Sequence, residues 1–277
     1  MKKLAVGVMA IVALIGTPVL AADLNKPAYN PPPAPALVPV YNWTGWYVGG
    51  NIGYGWGVNT GSGYTSFNDV DIGGVAGFFA NGGNVLPGVK PSGVIGGGQI
   101  GYDWQFAPLW VLGFVADIQA SDMRDSATAA APNIGNFTSI TESNSARVDW
   151  FGTVRAKAGF VANNNWLIYG TGGLAYGHVH ANTAFNDPSF DASLVPVTFT
   201  GATSDTKTGW TAGAGIEYAL SPNWTVGAEY LYVDLGTISV TETQATGAAT
   251  LASTFTSGSK FRDNIARLII NYKFGGY

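Results

Sequence analysis

The 277-residue chain has no cysteine, two histidines, and only 11% Asp, Glu, Lys and Arg. An ordinary soluble domain carries roughly a quarter charged residues, so this chain has less than half the usual amount. Without cysteine, no disulfide framework holds the fold. Long hydrophobic runs are also missing. After the first twenty residues no apolar stretch approaches the ~20 residues of a spanning helix, and mean hydropathy is only +0.16. A bundle of membrane helices is therefore excluded. The 39 glycines show no three-residue period, which excludes a collagen-like chain. What is present is 47% hydrophobic residues, 13% of the chain being aromatic. That excludes disorder for most of its length. Glycine and aromatics together favour strands over helices.

The N-terminus reads as an export signal. Met1-Lys2-Lys3 is a positive head, Leu4 to Leu20 an apolar stretch interrupted by Gly16-Thr17-Pro18, and Ala21 and Ala22 offer small residues for cleavage. An uncleaved anchor helix is the competing reading, and the Gly-Thr-Pro interruption argues against it. Residues 1–22 are thus expected to be a signal peptide, 23–41 a Pro-rich periplasmic spacer, and 42–277 the folded domain. The spacer carries Pro27, Pro31-Pro32-Pro33, Pro35 and Pro39, a composition that favours extended polyproline II. Removing Lys2 and Lys3 leaves 11 basic residues against 17 acidic ones, a net charge of −6. An acidic exported chain of this kind is not expected to bind nucleic acid.

From Trp46 the pattern becomes strictly two-residue. Trp46, Val48, Ile52, Tyr54 and Trp56 share one face, and mostly glycine occupies the other. Seven more segments follow: Val94–Phe106, Trp110–Ala120, Val148–Phe160, Trp166–Gly177, Trp210–Leu220, Trp224–Val233 and Ala266–Phe274. All but Trp166–Gly177 keep the alternation. Three connections are short turns, at Ala107-Pro108, Asn163-Asn164-Asn165 and Ser221-Pro222-Asn223. Four are long and polar: Gly57–Gly93, Ser121–Ala146, His178–Thr208 and Gly236–Asp263. Compact soluble domains rarely hold several loops beyond ~15 residues. An outer-membrane barrel alternates short turns with long external loops. The expectation is an all-β, eight-stranded antiparallel up-and-down transmembrane barrel.

Two residue sets follow from that geometry. Trp46, Trp104, Trp110, Trp166 and Trp224 mark strand ends on the short-turn side, while Trp56, Trp150 and Trp210 lie toward the long loops. They predict two aromatic girdles at the headgroup levels. The polar face then points inward. It offers Asp103, Asp117, Asp149, Arg155, Lys157, Glu217, Glu229, Arg267 and Lys273, with Gln99, Gln119 and Asn271. Both signs of charge are present, so ion pairs can offset desolvation. Eight strands leave an interior just wide enough to be filled by side chains. A packed polar plug is the plainer reading, and a narrow ion path is the alternative.

The segment Tyr41-Asn42-Trp43-Thr44-Gly45-Trp46-Tyr47-Val48-Gly49-Gly50-Asn51-Ile52-Gly53-Tyr54-Gly55-Trp56 resembles small outer-membrane β-barrel proteins of alphaproteobacteria. These are labelled outer-membrane immunogenic protein, porin-family protein or OmpA-like transmembrane barrel. Val148–Arg155, Leu167–Gly177, Glu229–Gly236 and Asn271–Phe274 are similar to further segments of the family. One departure is the extension Gly275-Gly276-Tyr277 beyond Phe274, the position where the family commonly ends on the aromatic read by the barrel-assembly machinery. The resemblance implies an abundant surface protein supporting envelope integrity, with porin activity or haem binding in some members. It implies no catalytic residues.

Other chemistry is sparse. His178 and His180 share a strand face and can in principle ligate a metal or haem, but surface histidines without a site are commoner. Ser is nearly confined to loops, and no Gly-x-Ser-x-Gly motif is present. Gly93–Gly98 is glycine-rich, yet no helical pattern or Lys-Ser/Thr follows it, so a phosphate loop is not expected. The expectation is no catalytic, cofactor or metal site. The expected partners are outer-membrane lipid, lipopolysaccharide, the barrel-assembly machinery, and an environmental or host ligand at the loops.

Overall fold

A computed structural model describes residues 41–58, 63–68, 87–130, 141–187, 196–246 and 254–275, those at 63–68 by backbone only. The signal-peptide reading and all of the Pro-rich-spacer reading except Tyr41 fall outside them, as do Gly276 and Tyr277. Strands β1 (Gly45–Gly57), β2 (Gly63–Asn68), β3 (Ser92–Ala107), β4 (Trp110–Ala130), β5 (Thr141–Ala162), β6 (Trp166–Asp187), β7 (Val197–Ala219), β8 (Trp224–Thr246) and β9 (Thr254–Lys273) form one antiparallel sheet. β1 pairs with β3 on one side, Trp46 opposite Tyr102, and with β9 on the other, Val48 opposite Tyr272. That double pairing closes eight strands into a ring without a free edge, which is the condition for burying a strand backbone in lipid.

The sequence places bulky apolar residues outward. Ile52, Ile100, Ile118, Leu174 and Leu268 are all half or more exposed. Such a surface is unfavourable in water and suited to hydrocarbon. Tryptophans bound it below and above. Between Trp46 and Trp56 about 11 residues, tilted near 40°, rise roughly 25 Å, the height of an outer-membrane apolar band. At the short-turn end Asn163 and Asn164 take positive φ (47° and 62°), the left-handed conformation that Asn tolerates best among non-glycine residues.

The strands run well past this belt, which corrects the reading of four long loops. β7 begins at Val197, thirteen residues before Trp210, and β8 continues to Thr246. Much of Ser121–Ala146, His178–Thr208 and Gly236–Asp263 is therefore ladder. The stretch Gly57–Gly93 also holds β2. β1 stops at Gly57 opposite Asp263, and β2 pairs with the part of β9 beyond it, from Gly63 opposite Gly258 to Asn68 opposite Thr254. The physical reason is a reversal of polarity. Above the belt Ser126, Thr128, Asn182, Ser204 and Thr206 face outward, while Ala146, Val148, Val179, Ala181 and Val240 are buried. Small and hydroxylated residues on both faces give weak contrast, so the period of two is hard to see in sequence.

Candidate functional site

The interior is built from the inward positions of the belt strands. Arg155 and Lys157, two apart on β5, point to the same side. Lys157 Nζ donates to Asp103 Oδ2 of β3 at 2.8 Å and to Glu217 Oε1 of β7 at 3.1 Å. It also lies over the rings of Tyr47 and Tyr169, 5.2 and 4.9 Å from their centroids. Arg155 donates to Asp117 Oδ2 of β4 and Glu229 Oε1 of β8, both at 2.8 Å. Arg267 of β9 reaches the same two carboxylates, at 2.9 Å to Asp117 and 2.7 Å from Nε to Glu229 Oε2. Neutral donors complete the set. Thr153 and Gln119 donate to Asp117, Tyr169 to Glu229, and Thr225 and Asn271 to Glu217. Gln99 joins through Asn271 at 2.7 Å.

These side chains need room at the wall, and glycine provides it. A Cβ on Gly53 would stand 2.6 Å from that of Arg267, and one on Gly113 would collide with Asp103 Oδ1. Each of the four carboxylates Asp103, Asp117, Glu217 and Glu229 is paired with at least one of the three cations Arg155, Lys157 and Arg267. Removing one partner of such a buried set leaves an uncompensated charge, at a cost of about 3–5 kcal/mol.

Apolar layers close the interior on both sides of the charged one. Toward the long strand ends Ile95, Met123, Phe151, Leu231, Phe261 and Ile265 belong to one buried cluster. Toward the short turns Tyr41 and Trp43 fold in with Val111, Val161, Leu167 and Tyr169. Trp43 is 2% exposed, and its backbone N–H donates to Gln105 Oε1 at 3.0 Å. Lys273 sits here rather than in the central network. It donates to the Asn42 carbonyl and lies 4.2 Å from the centroid of the Tyr41 ring. Sequence reasoning put Tyr41 at the end of the spacer and gave Trp43 no role, whereas both are packed in the interior. The signal lay in their spacing, two apart and just ahead of the first strand.

The eight girdle tryptophans stand on the outer wall. The lower five are 40–54% exposed, and each packs on an aromatic neighbour, such as Trp166 on Tyr218 at 4.7 Å. In the upper set Trp210 packs on Tyr232 at 5.4 Å, Trp56 on Tyr230 at 6.3 Å and Trp150 on Tyr176 at 6.2 Å.

Asp149 is not in the interior, contrary to the expectation from alternation. The register slips between Val148 and Trp150, so Val148 and Phe151 are both buried and Asp149 is carried to the outer face. A bulge adds one residue and reverses every later assignment. There Asp149 meets Arg147 Nε at 2.6 Å and His180 Nε2 at 2.8 Å. His178 packs parallel to the Trp150 ring, 6.1 Å away, and edge-on to His180 at 4.8 Å. Ser204 Oγ lies 3.1 Å from His178 Nε2, but Nδ1 faces Thr206 Oγ1 instead of a carboxylate. The nucleophile–base–orienter arrangement is thus incomplete. The same level carries two further outward ion pairs, Arg124–Asp122 and Arg262–Asp234.

Comparison with known proteins gives the family. The sequence profile described as outer membrane protein beta-barrel domain matches residues 28–274. The chain is 37% identical over 267 residues to the 31 kDa outer-membrane immunogenic protein of Brucella melitensis, covering 96% of this chain and 97% of that one. It is 31% identical over 140 residues to the 22 kDa outer membrane protein of Rhizobium leguminosarum, about half of each chain. Among solved structures, the outer membrane protein OprG from Pseudomonas aeruginosa aligns over 84% of this chain and 98% of its own, at 13% identity and a TM-score of 0.38. The chain therefore belongs to the outer membrane protein β-barrel family and resides in the outer membrane.

Proposed function

We propose that this protein is a structural component of the outer membrane, a closed and non-conducting barrel that supports the envelope and displays its strand extension at the cell surface. One observation carries the reading: the interior is filled in three layers. Tyr41 and Trp43 pack at the turn end, the Lys157 and Arg155 ion-pair network occupies the middle, and the cluster around Phe151 and Leu231 lies beyond it. An ion crossing this path would have to leave water and pass an apolar layer, at a cost of many kcal/mol. The Ser204–His178 contact lacks an orienting acid, so it gives no support to a catalytic reading. The outward pairs above the upper tryptophans suit a headgroup layer of phosphates and their counterions, which makes lipopolysaccharide the expected lipid partner.

The competing function is a narrow diffusion channel, and planar-bilayer recording of the full-length protein separates the two. The structural reading predicts a silent bilayer for the wild type. Discrete single-channel steps whose size or selectivity changes on charge reversal at Arg155 or Lys157 would overturn it.

A further inference from the structure

Among the described residues, one place brings three potential metal ligands together: Asp149, His178 and His180, whose nearest ligand atoms all lie within 4.8 Å of one another. From this arrangement we propose that the outer rim binds a divalent transition cation of the zinc type through these three side chains. The site does not depend on the structural role of the barrel interior, because it lies on the opposite side of the wall.

The fold builds the site in two steps. His178 and His180 are neighbours on one face of β6, as any i, i+2 pair in a strand is. Regular alternation would put Asp149 inside, and the bulge on β5 brings it out against them. Bulges recur where a sheet must re-aim a side chain. His180 Nε2 and Asp149 Oδ2 are already paired at 2.8 Å, and opening that contact to about 3.4 Å gives the span of two ligands on a tetrahedral ion roughly 2.1 Å from each. Small side-chain rotations bring His178 into the same sphere, since its ring nitrogens are held only by the hydroxyls of Ser204 and Thr206 at 3.1 and 3.3 Å. Supports for the ligands are already in place. Arg147 holds the other carboxylate oxygen of Asp149 at 2.6 Å, and the Trp150 ring fixes the plane of His178.

The donor set decides the class of ion. Two imidazoles with one carboxylate suit zinc, nickel or copper, whereas magnesium and calcium favour oxygen ligands throughout. All three side chains are partly exposed, so the cation has access from the headgroup layer and keeps open positions for water or a phosphate oxygen.

The chain has two histidines in total, so histidine-dependent binding reports on this site alone, provided the protein carries no histidine tag. The experiment is calorimetric titration of the untagged, detergent-solubilised full-length barrel with zinc chloride, followed by visible spectroscopy with cobalt chloride. The expected result is one zinc per chain and cobalt ligand-field bands. His178→Ala, His180→Ala and Asp149→Asn should each weaken zinc binding by on the order of tenfold or more, and Asp205→Asn should leave it unchanged. Heat-dependent gel mobility checks that each variant still forms the barrel. No saturable zinc binding by the wild type, or equal binding by the His178→Ala/His180→Ala double variant, would overturn the site. Retained affinity in a folded Asp149→Asn variant would remove the carboxylate and with it the proposal.

Discussion

The lower and upper halves of this barrel share one hydrogen-bonded wall and have opposite polarity. Between the tryptophan levels Leu268 and Ile118 face out while Arg155 and Arg267 face in. Above Trp210 and Trp150 the outward residues are Ser204, Thr206 and Ser239, and the inward ones include Val179, Val240 and Ile238. The outside medium accounts for the difference. In hydrocarbon the wall gains nothing from apolar burial inside, so charges can be pooled there if each is paired. In water the ordinary rule returns and the apolar residues move to the interior. The changeover is marked by bulges, at Ala120/Met123 on β4, Val148/Trp150 on β5 and Asp234/Gly236 on β8. Gly236 has φ of 79°, the left-handed conformation used by glycine bulges.

If the lower half depends on pooled charge, deleting one member should be the most damaging single change. Arg155→Ala removes the contacts to Asp117, Glu229 and Thr153 and leaves two buried carboxylates sharing the single cation Arg267. A loss of about 3–5 kcal/mol is expected, measured by urea unfolding in lipid vesicles with Arg155→Met as a second variant. A loss under about 0.5 kcal/mol, the size of an ordinary surface change, would mean that the network is not what holds the lower half.

A smaller effect tests the outer face. Leu268→Arg places a charge in the middle of the apolar belt and should cost about 2–4 kcal/mol. The same residue at Ser239, outward on the extension, should change stability by less than about 0.5 kcal/mol. Comparable costs at both positions, in the same vesicle assay, would place the membrane boundary elsewhere on the wall.

The comparison also explains what was legible in the sequence. In the belt, bulky apolar residues alternate with glycine and charge, a contrast strong enough to mark eight strands and to put Arg155, Lys157 and Arg267 on one face. Above it, alternation such as Ser143-Asn144-Ser145-Ala146 pairs similar residue types and reads as loop, although Asn144 and Ala146 are buried and Ser143 and Ser145 are not. Asp149 was misplaced because parity carries no information across a bulge. Trp43 was unplaced because it precedes the first strand and fills the interior, where alternation along that strand gives no guidance.

The most local expected effect is confined to the extension. Glu142 is fully buried there, and burial followed by the charge of nearby Glu242 pushes its pKa from 4.5 up to about 8. The folded extension therefore holds a proton that the unfolded strand releases near pH 4.5. Its contribution to stability is complete below that pH and is lost as pH rises toward 8. The strand ends can open locally without unfolding the belt, so the effect should appear as a rise in amide exchange of up to about a thousandfold between pH 5 and 9, after correction for intrinsic rates. The rise should be restricted to β5 residues near Glu142 and their partners on β6, such as Phe185. Belt amides such as that of Val154 should not follow it. Glu142→Gln keeps the shape and removes the titration, so exchange in the variant should be flat across the range. A pH-dependent rise that persists in Glu142→Gln would assign it to another group and leave the apolar interior of the extension indifferent to this carboxyl.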